Sequence, residues 1–271
     1  MGKRIAFIGG GNMASAIIGG LIRQGIPAAD IDVVEPWDEA RTRLAADFGL
    51  QPRAEAGDFL AAADLIVWAV KPQTFKDAAA AVRAHNHTAL HLSVAAGITS
   101  ASIAQWLGSE RIIRTMPNTP ALIGKGITAL FARTAVTAED KAWADQVIAT
   151  TGATVWLTAE DQLDAVTAIS GSGPAYMFYF MEAMTDAGAR MGLAREQAYQ
   201  LAVATFIGAG ELARASTEPP ESLRAKVTSK GGTTYAAITS MDESGIKDLF
   251  AKALFAAHHR AGELGAEFGK A

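Results

Sequence analysis

A glycine fingerprint near the start of the chain constrains the fold more than any other stretch. An apolar run over residues 4–8 leads into Gly9, Gly11 and Ala14 in Gly-x-Gly-x-x-Ala spacing, and a helical pattern over residues 14–24 follows. The first glycine permits a tight turn, the second admits a pyrophosphate to the backbone, and the small third residue lets helix and strand pack closely. Free N–H groups at a helix N-terminus favour phosphate. The stretch therefore predicts a dinucleotide site whose residues are Gly9, Gly11, Asn12, Met13 and Ala14. The alternative is a glycine-rich turn in an ordinary βαβ unit.

The second predicted strand, residues 31–34, ends in Glu35. An acid about 20 residues beyond the fingerprint binds the ribose hydroxyls of NAD, whereas a nearby arginine accommodates the 2′-phosphate of NADP. Arg41 and Arg43 lie in the next predicted helix, residues 38–48. Glu35 and Arg41 are therefore predicted to be cofactor residues. Glu35 favours NAD and Arg41 favours NADP, so these residues do not decide between the two cofactors.

Strand and helix patterns alternate over the first part of the chain. Further strands are predicted at 64–70, 89–94, 111–116, 127–131 and 154–157, and further helices at 54–63, 75–84, 101–107 and 138–150. Such alternation predicts a mostly parallel sheet covered on both faces. We therefore expect a doubly wound, Rossmann-like α/β domain over residues 1–159.

The pattern changes from residue 160, after which no convincing strand follows. Helices are predicted at 162–169, 174–191, 195–215, 220–227, 233–240 and 247–268. This favours an all-helical C-terminal domain over residues 160–271. Within it, residues 176–181 are apolar around most of a helix, and such a helix must be covered on several sides. We therefore predict a homo-oligomer, at least a dimer; the alternative is burial of this helix within its own chain.

Composition excludes several classes of function. The net charge is −4 without basic runs, which argues against nucleic acid or an anionic membrane as partner. The absence of cysteine excludes disulfides, thiol catalysis and cysteine metal sites. We expect no metal site, since His85, His87 and His91 have no acid close by in sequence and are expected to be surface or packing residues. No signal-peptide pattern or long apolar stretch is evident, so a soluble cytoplasmic protein is expected.

Ligands of a doubly wound sheet bind at the carboxyl ends of its strands. Three loops follow such strands, and the cofactor residues that we predict in them are Ala69, Val70, Lys71 and Pro72; Ala95, Ala96 and Gly97; and Asn118. Pro72 keeps Lys71 extended, so its backbone can lie along a flat ligand. The alternative to a cofactor contact is a solvated side chain for Lys71, a plain left-handed turn for Gly97 and a turn-forming role for Asn118.

The stretch from Ser229 to Thr234 predicts an anion site in the helical half. Two glycines form a turn among hydroxyl residues, and a helix begins directly after it. Free N–H groups, the positive end of the helix dipole and the hydroxyls would suit a carboxylate. The alternative is a helix start capped by hydroxyl residues and nothing more. The stretch 170–175, Ser-Gly-Ser-Gly-Pro-Ala, breaks one helix, begins another and allows close backbone approach.

Together these stretches resemble one family, pyrroline-5-carboxylate reductase, the last enzyme of proline biosynthesis. The matching stretches cover almost the whole chain in the family's order; they are residues 7–14, 69–73, 95–98, 114–120, 170–176 and 229–234. The resemblance implies a Rossmann domain, a helical dimerisation domain and an active site between one subunit's cofactor and the helices at the dimer interface. It also allows rings of dimers, and it favours NADPH as the cofactor, with NADH accepted as well.

The resemblance implies a mechanism as well. The substrate is a cyclic imine that bears a carboxylate, and the implied substrate residues are Ser229, Gly231, Gly232, Thr233 and Thr234. The carboxylate would bind the Ser229 hydroxyl and the backbone N–H groups of Thr233 and Thr234. The Thr234 hydroxyl, the implied catalytic group, would bond the ring nitrogen while the nicotinamide passes hydride to C5, giving proline.

Two other functions compete with this interpretation. A β-hydroxyacid dehydrogenase or related imine reductase also joins a Rossmann half to a helical half, but those enzymes carry a catalytic lysine early in the second domain. Residues 170–181 contain no lysine. A dinucleotide-sensing regulatory protein would bind the cofactor without turnover, and it would have no need for the Ser229–Thr234 loop.

Overall fold

A seven-stranded sheet forms the centre of the N-terminal part of the chain in the computed structural model, which describes residues 2–268. In spatial order the strands run β2-β1-β3-β4-β5-β6-β7, and all neighbours are parallel except β5 and β6. The strands are β1 (Ile5–Ile8), β2 (Ile31–Val34), β3 (Leu65–Trp68), β4 (Leu90–Ser93), β5 (Ile112–Met116), β6 (Gly126–Ala132) and β7 (Gly152–Trp156). The expected Rossmann-like, mostly parallel sheet is confirmed. The β5–β6 connection holds only a 3₁₀ turn, Thr119–Ile123, which is too short for a parallel crossover.

Helices cover both faces of this sheet. They are α1 (Asn12–Arg23), α2 (Asp38–Phe48), α3 (Pro72–Arg83), α4 (Ser100–Leu107), α5 (Ala138–Ile148) and α6 (Gln162–Val166), the last followed by a π turn at Thr167–Gly171. Local sequence explains several helix starts. Pro72 occupies the first turn of α3, where no N–H is needed. The Thr137 hydroxyl accepts the Asp140 N–H while the Asp140 carboxylate accepts the Thr137 N–H, which caps α5.

The predicted helix over residues 54–63 is wrong. The backbone of Arg53 pairs with the outer edge of β2, since its N–H bonds Val33 and its carbonyl accepts the Glu35 N–H. The chain then passes through an extended Gly57 into a short 3₁₀ turn, Asp58–Ala62. Pairing with the sheet edge therefore overrides the helix propensity of this alanine-rich stretch.

The sheet is buried on both faces. Successive residues of β1 point to opposite sides, and all four are at most 2% exposed. Phe7 packs with Ile17, Ile18 and Leu44 under α1 and α2. On the other face, Trp68 stacks on Phe75 of α3 with ring centroids 4.7 Å apart. This two-sided burial fixes the strand ends, and with them the loops that follow.

Contacts divide the chain into two units. The first runs to Ser172 and resumes at Ala257, and the second is Gly173–Ala256. The second contains α7 (Gly173–Arg190), α8 (Arg195–Ala215), α9 (Pro220–Lys226), α10 (Thr233–Glu243) and the first part of α11 (Ile246–Phe268). Between β7 and residue 268 every regular element is helical, as expected. None of the helices described is both long and apolar enough to cross a membrane.

Close helix packing and exposed apolar side chains characterise the second unit. A Cβ at Gly188 of α7 would lie 2.7 Å from the Ala198 Cβ of α8, so glycine permits this approach. Phe250 of α11 contacts the rings of Tyr176 and Phe180. Other large side chains face outward, including Phe178 at 59% and Tyr179 at 70% exposure. The chain therefore covers only part of the apolar surface of α7.

Candidate active site

The β1–α1 turn has the geometry that the glycine fingerprint predicts. Gly9 has φ of +94°, and a Cβ there would lie 2.5 Å from the Ala69 carbonyl oxygen. Gly11 precedes α1 in an extended conformation, and a Cβ there would meet nothing within 4 Å. No side chain caps α1 and its first turn holds no acid, so its first N–H groups remain available to an anion. Ala14 is fully buried, in keeping with its role in close packing.

A cavity of about 910 Å³ opens at the carboxyl ends of β1, β2 and β3. This volume is near the upper end of the range for small-molecule and cofactor sites. Of the predicted cofactor residues, six line it: Gly9, Gly11, Glu35, Ala69, Val70 and Lys71. Nine do not line it: Asn12, Met13, Ala14, Arg41, Pro72, Ala95, Ala96, Gly97 and Asn118. Asn12 and Met13 begin α1 directly beside the cavity wall.

Glu35 is held firmly at the wall of this cavity. Its Oε2 accepts the Gly10 N–H at 2.7 Å, and its Oε1 accepts the Trp37 N–H at 2.9 Å. The residue is only 6% exposed. The acid at the end of β2 is thereby joined directly to the glycine fingerprint.

Arg41 reaches back from α2 over the same turn. Its Nη1 donates to the carbonyl oxygens of Glu35 at 2.9 Å and Pro36 at 2.6 Å, and its Nη2 donates to Asp38 Oδ1 at 2.8 Å. The guanidinium therefore ties the segment after β2 to the first turn of α2.

The loops after β3 and β4 follow their local sequence. Lys71 is extended, with φ of −65° and ψ of 147°, as the following Pro72 requires. Gly97 has φ of +72°, so it adopts the left-handed turn that its sequence context allowed. A Cβ at Gly97 would lie 3.1 Å from the ring of Phe268 near the end of α11. Residues 95–97 thus turn tightly against α11.

Asn118 uses half of its amide within the chain. Its Oδ1 accepts the Ile127 N–H at 3.0 Å, which joins the loop after β5 to the start of β6. The NH₂ group has no partner among residues 2–268, so it remains available as a donor.

The loop from Ser229 to Thr234 forms a polar turn at the start of α10. Gly231 has φ of +76°, and the Gly232 N–H donates to the Ser229 carbonyl at 3.0 Å. Gly232 precedes α10 without a side-chain cap, so the first N–H groups of α10 remain unpaired. No hydroxyl of Ser229, Thr233 or Thr234 bonds another group within the described part of the chain. Ser229 and Thr233 are exposed, whereas Thr234 is half-buried. The loop therefore presents several donors and no acid.

Two residues beside the cofactor cavity escaped the predictions from sequence. Gly10 donates to Glu35, and a Cβ there would lie 2.4 Å from Leu44 Cδ1. Trp37 lines the cavity with 76% of its surface exposed. Trp37 could have been predicted because it is an aromatic residue two positions after Glu35. Gly10 could not, because it occupies a variable position of the fingerprint.

A partly buried ion pair between Glu160 and Arg114 has a structural role in the first unit. Glu160 accepts Arg114 Nη1 at 2.6 Å and both the N–H and the hydroxyl of Ser100 at 2.6 Å. Burial raises the pKa of Glu160, but these hydrogen bonds outweigh it and hold that pKa below its ordinary value. The pair joins β5, the start of α4 and the segment after β7. Glu160 is thus an ion-pair partner and not a poised general acid.

The three clustered histidines do not form a site together. His91 is buried on β4, where its Nδ1 accepts Trp68 Nε1 at 3.2 Å, whereas His85 Nδ1 lies 3.0 Å from Asp58 Oδ1. Burial, with a smaller effect from Arg111, lowers the pKa of His91 to about 4. Across residues 2–268, no group of three or more His, Asp or Glu side chains has metal-binding geometry.

Two family models match this chain in separate regions. A model described as Pyrroline-5-carboxylate reductase dimerisation matches residues 160–264. A model described as NADP oxidoreductase coenzyme F420-dependent matches residues 4–97, which include the glycine fingerprint and Lys71.

Three relatives match nearly the whole chain. A pyrroline-5-carboxylate reductase from Pseudomonas aeruginosa is 45% identical over 269 residues, 98% of each chain. The solved structure of a pyrroline-5-carboxylate reductase from Coxiella burnetii is 37% identical, with a TM-score of 0.90 and coverage of 97% and 98%. That of Plasmodium falciparum pyrroline carboxylate reductase, with NADP bound, is 28% identical, with a TM-score of 0.85 and the same coverage.

Proposed function

Since the chain belongs to the pyrroline-5-carboxylate reductase family, we propose that its Ser229–Thr234 loop binds the substrate and that the cavity beside Gly9 binds the cofactor. The chain is an NAD(P)H-dependent oxidoreductase that reduces the C=N bond of 1-pyrroline-5-carboxylate to give L-proline, the last step of proline biosynthesis. This activity replaces the two alternatives, a hydroxyacid dehydrogenase and a dinucleotide sensor without turnover.

The polar loop at the start of α10 supports the substrate assignment more than any other feature. The substrate carries a carboxylate, and the loop offers unpaired N–H groups, the positive end of a helix and free hydroxyls without an acid. Gly231 adopts a left-handed conformation that favours glycine, which turns the chain before α10. The N–H groups of Thr233 and Thr234 and the Ser229 hydroxyl would hold the carboxylate, and Gly231 and Gly232 would allow its close approach.

Thr234 is the proposed catalytic residue. Its hydroxyl, half-buried and without a partner in the described chain, would hydrogen-bond the ring nitrogen of the imine. This bond would orient C5 toward the cofactor. It would also keep the protonated ring nitrogen in place while the C=N bond becomes a C–N bond. A protonated imine is already electrophilic, so positioning and exclusion of water contribute most of the required acceleration. The lack of a poised acid–base pair among the loop residues agrees with such a mechanism.

The cavity residues fit a dinucleotide. Gly11 leaves open space beside the start of α1, which suits a pyrophosphate. Glu35 lies at the end of β2, where a ribose is bound in this fold. Ala69, Val70, Lys71 and Pro72 would lie along the cofactor, and Ala95, Ala96, Gly97 and the Asn118 amide would contact its nicotinamide end. When bound, NAD(P)H supplies the hydride that reduces the imine carbon.

The chain forms a homo-oligomer through its dimerisation domain. We assign that domain to residues 160–271 and the dinucleotide-binding domain to residues 1–159, and we propose that dimers further assemble into a ring. Light scattering of the purified protein tests this, because a ring predicts a mass of several dimers. A mass of one dimer would refute the ring.

We also place the enzyme in the cytoplasm, without nucleic acid as a partner. The absence of cysteine suits a reducing compartment, and the net charge of −4 without basic runs in the sequence argues against a nucleic-acid partner. Cell fractionation with detection of the protein tests the location, and recovery in a membrane or secreted fraction would refute it.

The test of the substrate assignment is a comparison of two Thr234 variants. Thr234→Val removes the hydroxyl while nearly preserving shape, and Thr234→Ser keeps the hydroxyl. Turnover of pyrroline-5-carboxylate should fall with valine and largely survive with serine, while cofactor affinity stays near wild type in both. Equal turnover in both variants would refute the role of the hydroxyl.

A further inference from the structure

The hydrogen bonds of Glu35 bear on which nicotinamide cofactor the enzyme prefers. We propose, on the basis of the cofactor site assigned above, that Glu35 makes this chain prefer NADH over NADPH, and that Arg41 supports this preference by fixing the turn that carries Glu35. The proposal rests on the positions of both oxygens of one carboxylate, on three contacts of one guanidinium and on the charges that line the cavity.

Both carboxylate oxygens of Glu35 accept a backbone N–H. Gly10 donates to Oε2 and Trp37 donates to Oε1. An amide in this place would direct its NH₂ group against one of these N–H donors, so the site requires a carboxylate. Each oxygen of a carboxylate can accept about two hydrogen bonds, so each retains a position for a further donor. The 2′- and 3′-hydroxyls of a ribose are such donors.

A 2′-phosphate in the same place would bring hydrogen-bond acceptors against the Glu35 carboxylate, which is itself an acceptor. A phosphate monoester carries about −1.5 to −2 charges at neutral pH and offers oxygens in place of the ribose O–H. Glu35 is bonded at both oxygens and buried, so it cannot turn away without losing the Gly10 and Trp37 bonds. A second carboxylate, Glu55, also lines the cavity. Like charges at close range in a partly buried site disfavour NADPH.

Arg41 does not offset this repulsion in the observed geometry. Both hydrogens of its Nη1 are donated to the Glu35 and Pro36 carbonyls, and its Nη2 is paired with Asp38. These bonds use three of the five N–H groups of Arg41, so a phosphate that approached Nη1 would have to compete with the two carbonyls. Arg41 does not itself line the cavity. Its contacts hold the backbone of Glu35 and Pro36, which makes it a positioning residue for the carboxylate.

The other basic side chains near the cavity are poorly placed to bind a 2′-phosphate. Arg43 follows Arg41 by two helical positions, roughly 200° further around α2, and does not line the cavity. Lys71 follows β3, two strands from β2 and therefore roughly 10 Å across the sheet from the Glu35 backbone. His85 lines the cavity too, but it is paired with Asp58.

Equilibrium binding without substrate tests this proposal directly. Dissociation constants for NADH and NADPH are measured by fluorescence titration of wild type, Glu35→Ser and Glu39→Gln. Wild type should bind NADH at least tenfold more tightly, and Glu35→Ser should shift the ratio at least tenfold toward NADPH. Glu39→Gln is the control, since Glu39 is exposed on α2 and does not line the cavity; its ratio should match wild type. Taking the ratio within each variant cancels any loss of folded protein.

Arg41→Ala separates the two roles of the arginine by the sign of the change. If Arg41 positions Glu35, the alanine variant loosens the turn and the ratio shifts toward NADPH. If Arg41 binds the phosphate itself, NADPH affinity falls selectively and the ratio shifts toward NADH. The second result, or an unchanged ratio, would overturn the positioning role.

The outcomes also distinguish this proposal from the cofactor site on which it rests. Equal affinities in wild type, tighter NADPH binding, or no change with Glu35→Ser would overturn the preference while leaving the site intact. Weak binding of both dinucleotides that is unaffected by Gly9 or Glu35 substitutions would overturn the site itself.

Discussion

The carbonyl oxygen of Ala69 lies only 2.5 Å from where a Cβ on Gly9 would stand. The end of β3 thus closes over the glycine turn of β1, and Gly9 also requires φ of +94°. Gly9→Ala should therefore cost about 3 kcal/mol of unfolding free energy, because the clash is with backbone that cannot rotate away. Denaturant unfolding measures this cost, and the affinity for NADH and NADPH should fall at least tenfold together.

Gly25→Ala provides the matched control for that substitution. Gly25 has nearly the same φ, +92°, but a Cβ there would meet nothing within 4 Å. It should lose only about 1 kcal/mol from the left-handed conformation and keep its cofactor affinity. A Gly9 variant no less stable than the Gly25 variant would contradict the close approach to Ala69.

The Thr234 hydroxyl should contribute to turnover and not to cofactor binding. Loss of one hydrogen bond directed at the reacting group typically lowers kcat about a hundredfold. We therefore expect Thr234→Val to lower kcat by about that factor with NADPH affinity near wild type, as measured by steady-state kinetics and by titration. A parallel loss of NADPH affinity would show that the loop serves the cofactor as well.

Acid should destabilise the fold through His91. Its pKa is near 4 in the folded chain and about 6.5 when unfolded. The unfolded chain therefore takes up a proton that the folded chain refuses, and stability falls as pH drops from about 6.5 toward 4. At pH 5 the loss relative to pH 7 should be about 2 kcal/mol.

His91→Asn isolates this contribution, since the asparagine Oδ1 stands in for the His91 Nδ1, can still accept the Trp68 N–H and does not titrate. Denaturant unfolding at pH 7 and pH 5 should give a smaller pH-dependent loss for the variant. The same loss in both proteins would assign the acid sensitivity to other groups.

The exposed face of α7 should form part of the subunit interface. Phe178 is 59% exposed in the single chain, and a charge buried at an interface without a partner is costly. Phe178→Glu should therefore reduce the mass measured by light scattering to that of a monomer, whereas Phe178→Leu should remain associated. A Phe178→Glu protein of unchanged mass would exclude this position from the interface.

Sequence patterns predicted most of the architecture. The glycine fingerprint indicated the β1–α1 turn. Continuous apolar runs such as residues 65–68 indicated central strands, because a parallel strand covered on both faces is apolar throughout. The prediction of a helix over residues 54–63 was wrong. The residue before it, Arg53, pairs with the edge of β2, and this long-range pairing is not visible in local propensity. The change from strands to helices after β7 was confirmed.

The candidate site was less predictable than the fold. Glu35 was predicted at the ribose position from its spacing alone. The contacts of Arg41 depend on a side chain that folds back across its own helix turn, so sequence could not separate phosphate attraction from backbone support. Gly10 was missed because it has no side chain, and its role depends on its backbone N–H pointing at the Glu35 carboxylate.

The most direct measurement follows oxidation of NADH and NADPH by the purified protein when pyrroline-5-carboxylate is added. We predict turnover with both cofactors, proline as the product, no turnover with hydroxyacids or ketoacids, and a higher kcat/KM for NADH. Absence of turnover with either cofactor would contradict the central claim that this chain reduces pyrroline-5-carboxylate.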